Sequence, residues 1–183
     1  MASRVDSRLV RWSSAVLLAA LVAAVPLAFG QGRAGPLIFL ARRPPRDLTG
    51  NIRGWCNSNR VASYQEDPQS HLWRVQFMAF FTRAPNAHEI ILTWWHIERG
   101  GQRTYVSNEP ISMGNPSERI FFFNTSLRRA VGQFQPQERY EAVLTVEGSR
   151  GATELARGRV ELTGEIERHS GVVDFTQPSP TPR

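Results

Sequence analysis

From residue 60 onward apolar and polar side chains alternate with a period of two, the pattern of half-buried strands. Over 71–82 the alternation puts Trp73, Val75, Phe77, Ala79 and Phe81 on one face. Arg74, Gln76 and Thr82 share the other face with Leu72, Met78 and Phe80. Ala84-Pro85-Asn86-Ala87 then reads as a turn, and 89–98 as a second long strand. Arg99-Gly100-Gly101-Gln102 turns the chain into a short partner strand, Arg103 to Val106. Residues 118–123 end in Ile120-Phe121-Phe122-Phe123, a third apolar strand.

Ser126 to Gly132 breaks the alternation and predicts one helical turn, capped by Ser126 and ended by Gly132. Arg139 to Glu147 alternates again, with Tyr140, Ala142, Leu144 and Val146 inward. After the loop Gly148-Ser149-Arg150-Gly151, Thr153 to Thr163 places Ala156, Gly158, Val160 and Leu162 on one face. With a first strand at Val61–Gln65, about seven strands are expected, and no helix longer than two turns after residue 50. The fold class expected is all-β, an immunoglobulin-like two-sheet β-sandwich over 60–166. Trp94 or Trp95 would fill the core between the sheets, and Tyr140 would make a corner hydrogen bond.

The N-terminal third follows a different pattern. Arg4, Arg8 and Arg11 precede an apolar run from Ala15 to Phe29, and Ala28-Phe29-Gly30 offers small residues at the positions a signal peptidase reads. Residues 12–32 form an uncharged stretch of 21 residues between Arg11 and Arg33. As a helix it would span ~31 Å, about one hydrocarbon core. Residues 1–33 are therefore read as an apolar helix, a signal peptide or a signal anchor. If it is uncleaved, the membrane contact is through 12–32. Both readings export the rest of the chain. A lipoprotein anchor does not fit, because Cys56 lies far beyond the run and follows Arg53-Gly54-Trp55.

Residues 34–59 read as an Arg/Pro-rich linker around one apolar patch, 36–41. The patch would tuck against the domain or the membrane surface. The Arg42–Arg46 cluster could alternatively touch anionic headgroups. Residues 167–183 form a Pro-containing tail.

Charge sharpens the division. The chain of 183 residues carries a net charge of +6, and all 22 of its basic residues are arginine. Residues 1–60 hold nine arginines against Asp6 and Asp47, a net of +7. Residues 61–183 are close to neutral, with 13 arginines against 14 acids. The basic excess thus belongs to the N-terminal segment, and a nucleic-acid partner is not expected.

The residues that could carry chemistry are few and scattered. His88 and His96 lie eight positions apart, ~26 Å along a strand, too far to share a metal. His88-Glu89 is not followed by a histidine at position 92, which is Leu. No metal site, cofactor or catalytic residue is expected. Cys56, the only cysteine, reads as a buried hydrophobe or as a thiol that pairs between chains. Trp94 and Trp95 are adjacent and must face opposite sides of their strand. One fills the core. The other is either covered by residues 34–56 or exposed, and if exposed it would form, with His96 and Tyr105, a platform for a protein or glycan partner.

Phe77–Thr82, the stretch His88 to Arg99 with its Trp pair, Gly100-Gly101, and Tyr140–Val146 closing into Gly148 resemble the small β-sandwich envelope modules of the DUF2914 type. That family shows a hydrophobic strand, a His-x-Trp, a Gly-Gly turn and a Gly-x-Tyr/Trp strand, in that order. The resemblance covers about residues 74–163. The His-x-Trp spacing departs from the pattern, because His88 is six residues before Trp94 and His96 follows Trp95. The resemblance implies a fold and a location behind a membrane segment, with no activity attached.

These readings converge on a non-catalytic binding or scaffolding module of the bacterial cell envelope. It would be periplasmic, or anchored in the inner membrane with its domain outside the cytoplasm. It would bind through the platform or through a free sheet edge. The reading from another class is a small hydrolase acting on an envelope polymer, with carboxylates drawn from Glu66, Asp67, Glu89, Glu98 or Glu109.

Overall fold

The computed structural model describes residues 34–130, 132–149 and 151–165. The expected N-terminal helix of 1–33 and the tail of 167–183 lie outside the described residues. The described chain is mostly β. Its elements run β1 (Gly35–Phe39), α1 (Ile52–Ser58), β2 (Ser63–Gln65), β3 (Leu72–Phe80), β4 (Glu89–Ile97), β5 (Arg103–Ser112), β6 (Ile120–Arg128), β7 (Glu138–Gly148) and β8 (Gly151–Thr163).

The strands form one mixed, curled sheet of order β5-β4-β7-β8-β1-β3-β6, with β2 added beside β8. β1 links its two parts, antiparallel to β3 through Leu37↔Ala79 and parallel to β8 through Gly35↔Ala156. The segment 34–59, expected to be a linker, thus supplies the strand that joins the two halves of the sheet. Pro44 and Pro45 lie just past this strand, and Pro36 is its second residue.

Period-two alternation decides which side of each strand is buried. Trp73, Val75, Phe77 and Ala79 of β3 meet Ile90, Leu92 and Trp94 of β4 and Tyr140, Ala142 and Leu144 of β7 in one core. Phe39 of β1 lies between the halves, its ring 6.0 Å from Phe77 and 6.3 Å from Trp94. Trp94 is the tryptophan in the core. Tyr140 is also buried, and its hydroxyl accepts the Gln135 N–H at 2.7 Å and donates to the Gln133 carbonyl at 3.2 Å. Trp73 reaches across the core to donate its indole N–H to the Thr163 carbonyl at 2.8 Å.

A second, smaller cluster lies on the outer side of β1 and β3. Ile38, Leu40 and Met78 pack there under α1, which buries Cys56. Asn51 caps this helix by accepting the Gly54 N–H at 2.8 Å. Tyr64 stitches the end of β1 to β3: its hydroxyl accepts the N–H groups of Leu40 and Gln76, and its one proton is shared between their two carbonyls.

Three local expectations need correction. Ser126 to Arg128 continue β6 in place of a helical turn, because Thr125 and Leu127 pair with Val75 and Trp73. The short partner strand extends to Ser112, as Ile111 enters the core opposite Ile90. Eight strands are present among the described residues, where about seven were expected.

Candidate functional site

The β4–β5 ladder carries a bulge beside the tryptophan pair. Trp94 pairs with Ser107 and Trp95 with Tyr105, so Val106 is the extra residue. Trp94 points into the core, and Trp95 points to the outer face. There its ring meets Tyr105 edge-on at 5.9 Å, and the Arg103 guanidinium lies 5.9 Å from its centroid. Tyr105 is the more open of the two aromatic rings, at 53% exposure.

Beside Trp95 the ladder places Glu141, and beside Glu141 it places Arg159. Glu141 is only 1% exposed and is clamped by two cations, Arg103 Nη1 at 2.6 Å and Arg159 Nε at 2.9 Å. The row Tyr105–Trp95–Glu141–Arg159 therefore crosses four strands of the outer face. It presents an aromatic corner next to a carboxylate already neutralised by arginine.

The expected platform of Trp95, His96 and Tyr105 is brought together only in part. Trp95 and Tyr105 are in contact. His96 is on the opposite face, its ring 5.5 Å from Tyr140 and its Nε2 3.0 Å from Glu138 Oε2. Adjacent strand residues cannot share a face, and the bulge on β5 does not change the alternation of β4.

Cys56 is fully buried beneath α1, and burial pushes its thiol pKa up. A protonated, covered thiol is a poor nucleophile. It can meet a second chain only if α1 lifts. Among the described residues no three His, Cys, Asp or Glu side chains come close enough to hold a metal ion. None of their helices is long and apolar enough to cross a membrane.

The feature that sequence reasoning passed over is the edge of β6. Phe81 N–H bonds to Arg119 O, and Arg129 N–H bonds to His71 O. With the continuous register between them, the odd-numbered residues of β6 bond to β3. The backbone groups of Ile120, Phe122, Asn124, Ser126 and Arg128 therefore point away from the sheet. The run from Ile120 to Leu127 contains no charge and no proline. Neither a charge nor a proline of its own blunts this edge, and from β5 the Glu109 carboxylate accepts a hydrogen bond from the Thr125 hydroxyl at 3.4 Å. At the other end of the sheet, β5 carries Glu109 and Pro110. The signal was present in the sequence as Phe121, Phe123, Thr125 and Leu127 at alternate positions, but a serine read as a helix cap cut it short.

Compared with known proteins, this chain matches no family model, no curated protein and no solved structure.

Proposed function

We propose that this protein is a non-catalytic binding or scaffolding module of the bacterial cell envelope, and that it captures an extended segment of a partner protein on the edge of β6. The observation that carries this reading is the row of outward-facing backbone positions at Ile120, Phe122, Asn124 and Ser126, on a stretch of β6 without charge or proline. A partner strand would satisfy those groups and cover the half-buried rings of Phe121 and Phe123.

The fold reading behind it is an immunoglobulin-like sandwich. One sheet would be β5-β4-β7-β8 and the other β1-β3-β6, with β1 touching both. Trp94 in the core and the hydroxyl of Tyr140 bonded to upstream backbone support it. The DUF2914-type motifs quoted above lead to the same kind of module. Export rests on the basic and apolar pattern of 1–33.

Two experiments test the reading. A photo-crosslinker replacing Ile120, which is 39% exposed, should give one discrete adduct in cells. Asn124→Pro should abolish that adduct, because it removes an edge N–H that β3 does not use. Asn124→Ala should retain it. An adduct that survives Asn124→Pro in a folded protein overturns the proposal. For location, intact mass of separated fractions should find either a soluble envelope species lacking the first 30 or so residues or a full-length membrane species. A full-length soluble species in the cytoplasm overturns export.

A further inference from the structure

A polar groove of about 310 Å³ lies on the outer face of β3 and β6, independent of the strand edge. Its floor is a square of four side chains set by register, Arg74 opposite Ser126 and Gln76 opposite Asn124. Such a square measures roughly 5 Å between strands and 7 Å along them, the footprint of one sugar ring. Each corner offers hydrogen-bonding groups, two amides, a hydroxyl and a guanidinium.

Two of these corners make no side-chain hydrogen bond or ion pair among the described residues. Gln76 Oε1 is sealed from solvent without a hydrogen bond. Arg74 is exposed and makes no ion pair among the described residues. Its electrostatic reach to Asp67 is the least of the influences that hold that carboxyl below its ordinary range, the Gln69 N–H being the largest.

The surroundings are cationic and aromatic. One step further along β6, Phe122 is half-buried with the Arg43 guanidinium 5.7 Å over its ring. Arg53 lies over Phe80 at 5.8 Å on the same outer face. Residues 34–60 carry five arginines against Asp47 alone, and Arg43, Arg46, Arg53 and Arg60 have no carboxylate partner among the described residues. A ligand that fits brings a negative charge for Arg74 and several hydroxyls for the amides and Ser126. Inorganic anions supply only the first of these.

We propose that this groove binds a carboxylated saccharide unit of an anionic glycan. The carboxylate would take the Arg74 fork in the two-bond geometry that guanidinium favours. Ring hydroxyls would engage the Gln76 amide nitrogen, Asn124 and Ser126. The protein would then hold a glycan on its β3–β6 face and a protein strand on its β6 edge, which is the task of a scaffold.

The test is calorimetry on the full chain in non-ionic detergent, with three probes: trigalacturonate, a hyaluronan tetrasaccharide and N-acetylmuramic acid. At least one should bind about tenfold more tightly than neutral galactotriose and than inorganic phosphate. Arg74→Gln and Gln76→Ala should each weaken that binding by about tenfold, while Arg139→Gln on the far half of the sheet should leave it unchanged. Asn124→Ala should weaken glycan binding and keep the β6 crosslink, so this proposal and the strand-capture reading fail separately. The proposal is overturned if none of the three probes binds, if phosphate binds as tightly as the best of them, or if Arg139→Gln weakens binding as much as Arg74→Gln.

Discussion

The hydroxyl of Tyr140 accepts the backbone N–H of Gln135 at 2.7 Å, locking the turn that leads from β6 into β7 onto the core. The same oxygen donates to the Gln133 carbonyl. Two backbone groups of an irregular turn thereby find partners inside the fold. Tyr140→Phe keeps the ring and strands both groups. Unfolding in urea should show a loss of about 1–3 kcal/mol with an unchanged slope.

Burial also gives the Tyr140 phenol a pH dependence, since it pushes its pKa from 10.0 up to about 12. The unfolded chain ionises first as pH rises. The stabilisation is fully present below pH 10 and is lost as pH approaches 12. Tyr64 is shifted upward by burial as well and adds to the same alkaline loss. Stability measured across this window should fall less steeply in Tyr140→Phe than in the parent chain.

Gly158 sits where β1 crosses β8. A Cβ built there would lie 2.3 Å from the Leu37 carbonyl oxygen, a backbone atom that cannot swing aside. Gly158→Ala should therefore force β1 off β8 and cost about 1–3 kcal/mol or more. Hydrogen exchange should locate the damage at the β1–β8 contact. An alanine tolerated without loss would show that β1 is held weakly.

Glu141 should respond asymmetrically to its partners. Arg103 and Arg159 are 45% and 69% exposed, so either can return to water when Glu141 is neutralised. Glu141→Gln should therefore cost only about 1 kcal/mol. Arg103→Met together with Arg159→Met leaves a buried carboxylate without its two cations and should cost about 3–5 kcal/mol. A double variant no worse than Glu141→Gln would mean that water reaches the carboxylate.

Cys56 should be silent in the folded protein. A thiol reagent should label it no faster than α1 opens, and subdenaturing urea should accelerate labelling. Rapid labelling in buffer alone, or a disulfide-linked dimer on a non-reducing gel, would place the thiol at the surface.

The strands most readily read from the sequence are those with their own period. Trp73 to Phe81 and Tyr140 to Val146 show their buried sides by alternation alone, because burial on one face of a strand selects every second residue. The Trp94–Trp95 pair is half legible in the same way. Their opposite directions follow from adjacency, but which ring is inside does not. Phe39 and Phe134 settle it by packing on Trp94. The platform read from Trp95, His96 and Tyr105 was split by the same alternation, applied one residue further along.

Sequence alone determined the β character, the turns at Pro, Asn and Gly, the inward residues of the long strands and the concentration of positive charge before residue 61. These are local properties, written in neighbouring side chains. Tertiary structure decided that 35–39 is an interior strand joining β8 to β3, since its partners Ala79 and Ala156 are far away along the chain. It also decided that β6 ends the sheet among the described residues, and that Arg74, Gln76, Asn124 and Ser126 form one square. Strand order and cross-strand register are relations between distant segments, and no period within either segment encodes them.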